Sequence, residues 1–306
     1  MNKSINTILT LLLLALLFAL IYLVWLNFPG ESVNFEDYQA NISDEFPLQS
    51  AQFYNNMRYP TEVITYGFAT QCSNKKREEV EKAIQRLETK TILKFSESSN
   101  PQITITCSQI SPEPEQEGHF VAGEGGPTLI INATRYSVIT AGKISLFRAS
   151  KCDQPQIATH EILHALGFDH NSNPNSIMYP ITSCEQEIEE ALVKDIERLY
   201  SQKPLGDLII EKAEAIKKGI YLDLEVTISN HGLKSISESY LKLYAESKEI
   251  RNFDLEEIDI GSKRTLTIQN LRIPRGAETL ILEVQTSEEE ITKANNNANL
   301  KLEKTE

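Results

Sequence analysis

Hydrophobic positions fall into three regimes along the chain. From Ile8 to Leu26, nineteen residues run without a charge and are dominated by leucine. As a helix at ~1.5 Å per residue this run spans about 28 Å, close to the ~30 Å hydrocarbon core of a bilayer. Tyr22, Trp25 and Phe28 near its end suit an interfacial belt, and Pro29-Gly30 closes it. A cleavable signal peptide has a shorter apolar core followed by a small-x-small site, so 8–28 reads as a transmembrane signal anchor. Lys3 precedes the run and Glu31, Glu36 and Asp37 follow it. The positive-inside rule then places 1–7 in the cytoplasm and everything beyond residue 30 outside, as a single-pass cell-membrane protein.

The second regime mixes helical and strand periods. Residues 29–50 are acidic and lack either period, so they read as a linker. Val63–Phe68 looks like a strand. Asn74–Thr89 carries Val80, Ala83, Ile84 and Leu87 at helical spacing with charges between them. Ile92–Phe95, Ile103–Cys107, His119–Ala122 and Leu129–Ile131 are further short strands, and Gln154–Leu166 and Glu185–Tyr200 are helices. From Val63 the pattern is thus α/β, and Lys203-Pro204-Leu205-Gly206 breaks the chain. In the third regime Tyr221–Ile228 alternates with period two and ends in the turn Asn230-His231-Gly232. Tyr240–Ala245, Lys263–Ile268 and Leu280–Val284 continue the alternation. Strands with no helix between them predict an all-β sandwich over 207–306.

Charge sharpens this division. The 306 residues hold 30 Lys plus Arg and 43 Asp plus Glu, a net −13. Lys3 is the one charged side chain before Glu31, which leaves 29 basic against 43 acidic groups and a net −14 outside. Such acidity argues against a phosphate-tracking nucleic-acid binder, which needs a basic face.

The informative stretch is His160-Glu161-Ile162-Leu163-His164-Ala165-Leu166-Gly167-Phe168-Asp169-His170. His160 and His164 lie one helical turn apart, so both imidazoles project from one face toward a shared metal. Gly167 can take the left-handed conformation that ends a helix and lets the chain turn back to bring His170 as third ligand. Three neutral nitrogens leave a fourth tetrahedral position open for water, the arrangement of one catalytic Zn²⁺. Glu161, about 100° round the helix from His160, faces that water as general base. Five fixed residues over eleven positions arise by chance with odds on the order of 1 in 10⁵.

On these residues 51–202 resembles the metzincins, and Ser176-Ile177-Met178-Tyr179-Pro180 matches their methionine turn. Met-Tyr-Pro and the closing helix Val193-Lys-Asp-Ile-Glu-Arg-Leu-Tyr200 resemble the matrixins within that clan. The resemblance implies a zinc metalloendopeptidase acting on protein or peptide substrate, with a mixed five-stranded sheet and three helices. It gives Met178 the role of apolar floor beneath the metal, and Tyr179 and Pro180 are read as structural packing. It makes His119, Phe120, Val121 and Ala122 the antiparallel edge strand that takes up an extended substrate, with Leu129–Ile131 inside it. Four cysteines allow three pairings. If the first strand and Ile103–Cys107 are parallel neighbours, as in matrixins, Cys72 meets Cys107, and Cys152 with Cys184 then staples the active-site segment. Departures are Asn171, where matrixins have Ser or Thr, and Thr182, where they have Tyr. Residues 31–60 contain no Cys for a thiolate latch, and the Cys107–Gly118 loop lacks the residues for a second zinc.

Residues 207–304 resemble CARDB Ig-like domains through Asp207-Leu208, Val226-x-Ile-x-Asn-x-Gly232, Leu271-x-Ile-Pro-x-Gly276 and Asn295-Asn296-Asn297. That resemblance implies a spacer, or a binding module for a surface ligand, and no catalysis.

Overall fold

The structure is a computed structural model that describes residues 2–28, 30–41, 48–69, 72–108, 110–113, 121–149 and 151–303. α1 (Asn2–Asn27) is one continuous helix, and Thr7–Trp25 within it is long and apolar enough to cross a membrane. Its side chains over that span are solvent-exposed rather than packed in a core.

Beyond the helix the chain enters the C-terminal sandwich before it reaches the α+β region. β1 (Ser32–Asn34) and β2 (Tyr38–Gln39) both pair antiparallel with β9 (Leu208–Lys218). Between them Phe35, 1% exposed, sits in the core of the sandwich. The stretch expected as a linker over 29–50 is therefore a built strand over 32–39. The reason is non-local: its only periodic feature is one Phe, and its partner strand lies about 180 residues further on.

The α+β region has one six-stranded sheet, ordered β3-β8-β6-β4-β5 with β7 on the outer side of β8. These strands are β3 (Met57–Arg58), β4 (Val63–Phe68), β5 (Lys94–Glu97), β6 (Ile103–Cys107), β7 (Gly123–Asn132) and β8 (Ser137–Leu146). All pair parallel except β7, which runs antiparallel to β8 at the edge. Two expectations need correcting. The sheet has six strands rather than five, the sixth being the two-residue β3. Leu129–Ile131 is also not an inner strand, because it belongs to β7 itself, and the inner strand is β8. β8 escaped notice because its alternation is interrupted: it carries buried Val138-Ile139 together and Gly142 in its middle, and alternates only over 142–146. Val121 and Ala122 lie just before β7, and the Ala122 carbonyl still accepts from the Phe147 and Arg148 amides. His119 and Phe120 lie outside the described residues.

Three helices cover this sheet: α2 (Asn74–Lys90), α3 (Gln156–Ala165) and α4 (Glu190–Ser201). α2 is capped by Ser73 and buries Val80, Ala83, Ile84 and Leu87, the residues its spacing singled out. α3 is buried along its whole length.

The C-terminal region is a two-sheet sandwich. One sheet is β1-β9-β10-β13, with β2 also on β9, and the other is β12-β11-β14-β15. Here β10 is Tyr221–Asn230, β11 Ser239–Ala245, β12 Lys248–Asp254, β13 Lys263–Arg272, β14 Thr279–Thr286 and β15 Asn297–Lys301. The alternation in β10 turns Leu222, Leu224, Val226 and Ile228 inward against Leu241, Leu243, Leu280 and Leu282. β9 and β12 had no clear alternation to announce them, and the alternation of Ala298 and Leu300 in β15 is short.

Candidate metal centre

The site grows from how α3 ends. Leu166 caps it, and Gly167 follows at φ +97°, a conformation that L side chains rarely adopt. The Gly167 amide donates to the His164 carbonyl at 2.9 Å and the Phe168 amide to Leu163 at 3.1 Å. That pair of bonds is a Schellman stop, with Phe168 and Leu163 supplying its buried apolar contact. A Cβ at Gly167 would also strike the Met57 side chain at 2.5 Å. The turn sends the chain back so that His170 meets the two helical histidines.

Nε2 of His160, His164 and His170 form a triangle with sides of 2.9, 3.1 and 3.2 Å. His160 Nδ1 lies 2.6 Å from the Ile177 carbonyl and His164 Nδ1 2.7 Å from the Phe168 carbonyl. A carbonyl only accepts, so both Nδ1 atoms carry the proton and both Nε2 atoms point a lone pair inward. Burial, with the neighbouring His164 next, pushes His160 down to about 3, and burial lowers His164 to about 4. His170 is lowered by burial as well. Converging lone pairs with no proton to share repel one another unless a cation sits among them. Tetrahedral zinc with ~2.0–2.1 Å bonds holds its nitrogens about 3.3–3.4 Å apart, so the triangle is a few tenths of an ångström tight. The donor set fits zinc.

Glu161, the residue after His160, is buried, and its carboxylate lies against Gly123 of β7. Burial, and then the Glu124 carboxylate, push it up to about 8. Met178 is buried in the core of the α+β region, and its carbonyl accepts from the Asn171 amide at 3.0 Å.

Comparison with known proteins adds one fact to this geometry. Residues 58–201 match the Matrixin family model. Residues 205–302 match that of CARDB. By sequence the chain is 42% identical over 50 residues to matrix metalloproteinase-9 of Canis lupus familiaris, covering 16% of this chain and 7% of the relative. It is 39% identical over 51 residues to matrilysin of Rattus norvegicus, covering 15% and 19%. The chain thus spans less than a fifth of the length of these curated relatives. Among solved structures, it is similar to high choriolytic enzyme 1, a hatching enzyme zinc-protease from Oryzias latipes. That match has 20% identity, covers 40% of this chain and 55% of the other, and has a TM-score of 0.27. It is also similar to a CARDB domain from Pyrococcus furiosus solved with di-metal ions, at 16% identity over 31% of this chain and 84% of the other, TM-score 0.27.

Within the matrixin region both disulfides join segments that frame the site. Cys72 is bonded to Cys107, and Cys152 to Cys184. The second holds the lead-in to α3 against the segment after the methionine turn, where buried Gln156 also donates to the Cys184 and Gln186 carbonyls. Asn171, flagged as a departure, ties the His170 loop to the methionine turn by donating to Ser176 Oγ at 2.8 Å. Tyr179 is half-buried and Pro180 exposed on that turn.

The sequence reading missed the glycines of β7. A Cβ on Gly123 would lie 2.7 Å from Glu161 Cγ and Oε1, and one on Gly125 would lie 2.2 Å from the Glu161 carbonyl oxygen. Their bareness lets the edge strand lie directly on α3, and the Gly123-Glu-Gly-Gly run was the available signal. Phe53 was missed too. It stacks on His164 at 5.7 Å because 51–53 pair backbone-to-backbone with 167–169.

Proposed function

We propose that the chain is a zinc metalloendopeptidase that hydrolyses protein or peptide substrates, anchored by α1 with its N-terminus cytoplasmic and its catalytic domain extracellular. The observation that carries the reading is the triangle of inward-facing Nε2 atoms, with the buried carboxylate of Glu161, the residue after His160, set against Gly123. His160, His164 and His170 hold the metal, Ile177 and Phe168 carbonyls orient two of them, and Met178 packs as apolar support. Zinc bound there supplies a Lewis acid and lowers the pKa of its water toward ~7.

Glu161 is the general base. Its carboxylate removes a proton from the attacking water and returns it to the departing amine. The free edge of β7, with Val121 and Ala122 leading into it, offers backbone groups to an extended substrate lying antiparallel to it.

The test uses the full chain in detergent or liposomes with an unfolded protein as substrate. Cleavage is expected to stop on chelation and return with zinc. Glu161→Ala should keep one zinc per chain while kcat falls about 10²–10⁴-fold. Undiminished cleavage by that variant, or by the chelated protein, would overturn the assignment.

A further inference from the structure

The sandwich touches different things at its two ends. At one end Arg275 donates to the Trp25 and Phe28 carbonyls at 3.3 and 3.4 Å and lies over the Trp25 ring at 5.2 Å. At the same end Gly219 and Gly30 pack backbone on backbone, so that a Cβ on Gly219 would lie 2.6 Å from the Gly30 nitrogen. The end of α1 is thus seated on the β9–β10 and β13–β14 turns.

From there the chain climbs the sandwich. Ser32 pairs opposite Lys218, Tyr38 opposite Ala213, and the Ala40 amide reaches the Glu211 carbonyl. β9 has 11 residues, which at ~3.3 Å each is about 36 Å from one end to the other. The matrixin region is attached at the far end. Ala133, Tyr136 and Val138 of the β7–β8 turn form an apolar cluster with Leu233, Ile260 and Ile291. Arg135 pairs with buried Asp207 at 3.7 Å, and Gly261 sits against Ile131. Among the described residues the regular elements of the matrixin region pack on one another, and it meets the sandwich chiefly through these turns. The metal ligands lie beyond, near Gly123, at the opposite end of β7 from Ile131.

We propose that the sandwich is a rigid strut that selects substrates by height: polypeptides anchored in the same membrane, with the scissile segment standing about a sandwich length or more off the bilayer. This rests on the protease and membrane-anchor readings above. A flexible tether would suit soluble substrates, whose height has no meaning. A strut pinned at both ends gives up reach, and it concentrates the site on co-anchored chains that present a bond at its level. Extended chain covers ~3.4 Å per residue, so stalks shorter than about 10 residues fall short of a ~36 Å strut.

The experiment reconstitutes the full chain in liposomes with single-pass reporters whose unstructured stalks of graded length end in one cleavable sequence. A soluble peptide of that sequence is run alongside. Reporters with stalks of about 5 residues should be cut at least about tenfold more slowly than those with 20, and the soluble peptide should show no such threshold. A flexible 15-residue Gly-Ser insertion between Gly30 and Glu31, combined with Arg275→Ala to release the end of α1 from the sandwich, should abolish the threshold while leaving soluble-peptide kcat/KM unchanged. Equal rates for short and long stalks, or a threshold that survives the insertion, would overturn the strut. Failure to cut the soluble peptide would overturn the protease reading and the strut with it. Failure of the chain to float with the liposomes would do the same to the anchor reading.

Discussion

The matrixin region and the sandwich hold their parts together in opposite ways. In the first, three converging histidines come from eleven consecutive residues, set by one helix stop and the carbonyls of nearby turns. Both disulfides are there as well, and the four cysteines of the chain are spent on them. The sandwich has no covalent staple, and its inner sheet draws strands from 32–39 and from 208–272, on either side of the whole matrixin region. Chemistry here is local and support is long-range. A matrixin-like region looped out of a sandwich is tied down at both of its ends, which a domain appended to a tether is not.

Phe35 is where that contrast breaks most sharply. If 31–41 were a tether, Phe35→Ala would cost nothing. Buried to 1% in the core of the sandwich, it should cost about 3–5 kcal/mol. Hydrogen exchange on the full chain reads this directly. Amides of β9 and β10 should lose protection by that amount while those of α3 keep theirs. Unchanged exchange in β9 would return the segment to a tether.

Next in size is Gly125→Ala. Its new Cβ would meet backbone, the Glu161 carbonyl oxygen at 2.2 Å, and backbone cannot swing aside. β7 must then lift off α3, and a displacement on the order of 1 Å near a catalytic base costs about a hundredfold in kcat/KM. Overpacking adds about 1–3 kcal/mol of lost stability. Gly123→Ala meets the Glu161 side chain, so it should lower kcat/KM as well, but a side chain can rotate and its stability cost should be the smaller of the two. Equal loss of stability in the two variants would show that β7 does not rest on the helix backbone.

These positions also show what the sequence could tell. The histidines and Glu161 were legible because helical spacing converts directly into a shared face, and Gly167 because only a left-handed stop brings His170 round. α2 and the strand β6 were legible because each has one buried face and so a clean period. β8 and β1 were not, since adjacent buried Val138-Ile139 and Gly142 interrupt the alternation of β8, and a short strand paired across nearly the whole chain has no local partner. The role of Gly123 and Gly125 is steric and depends on which helix lies beneath them, which no local pattern states.

The smallest effect concerns the junction between the regions. Asp207 is almost fully buried, and burial raises its carboxyl above the usual Asp range, partly offset by hydrogen bonding from Asn295 and by Arg135. A raised pKa means that the folded state holds this proton more tightly than the unfolded chain does. The contribution to stability is then full below the unfolded pKa of ~4 and is lost as pH rises through the folded value. Asp207→Asn keeps the shape and an oxygen for Asn295 but removes the titration. Its stability should therefore be flatter with pH above ~4. Arg135→Ala should steepen the wild-type loss, because the ionised Asp207 then lacks its nearby cation at 3.7 Å. Thermal melts of the full chain from pH 4 to 8 measure both slopes. Parallel curves for all three proteins would mean that the Arg135–Asp207 contact does not couple the strut to the protease.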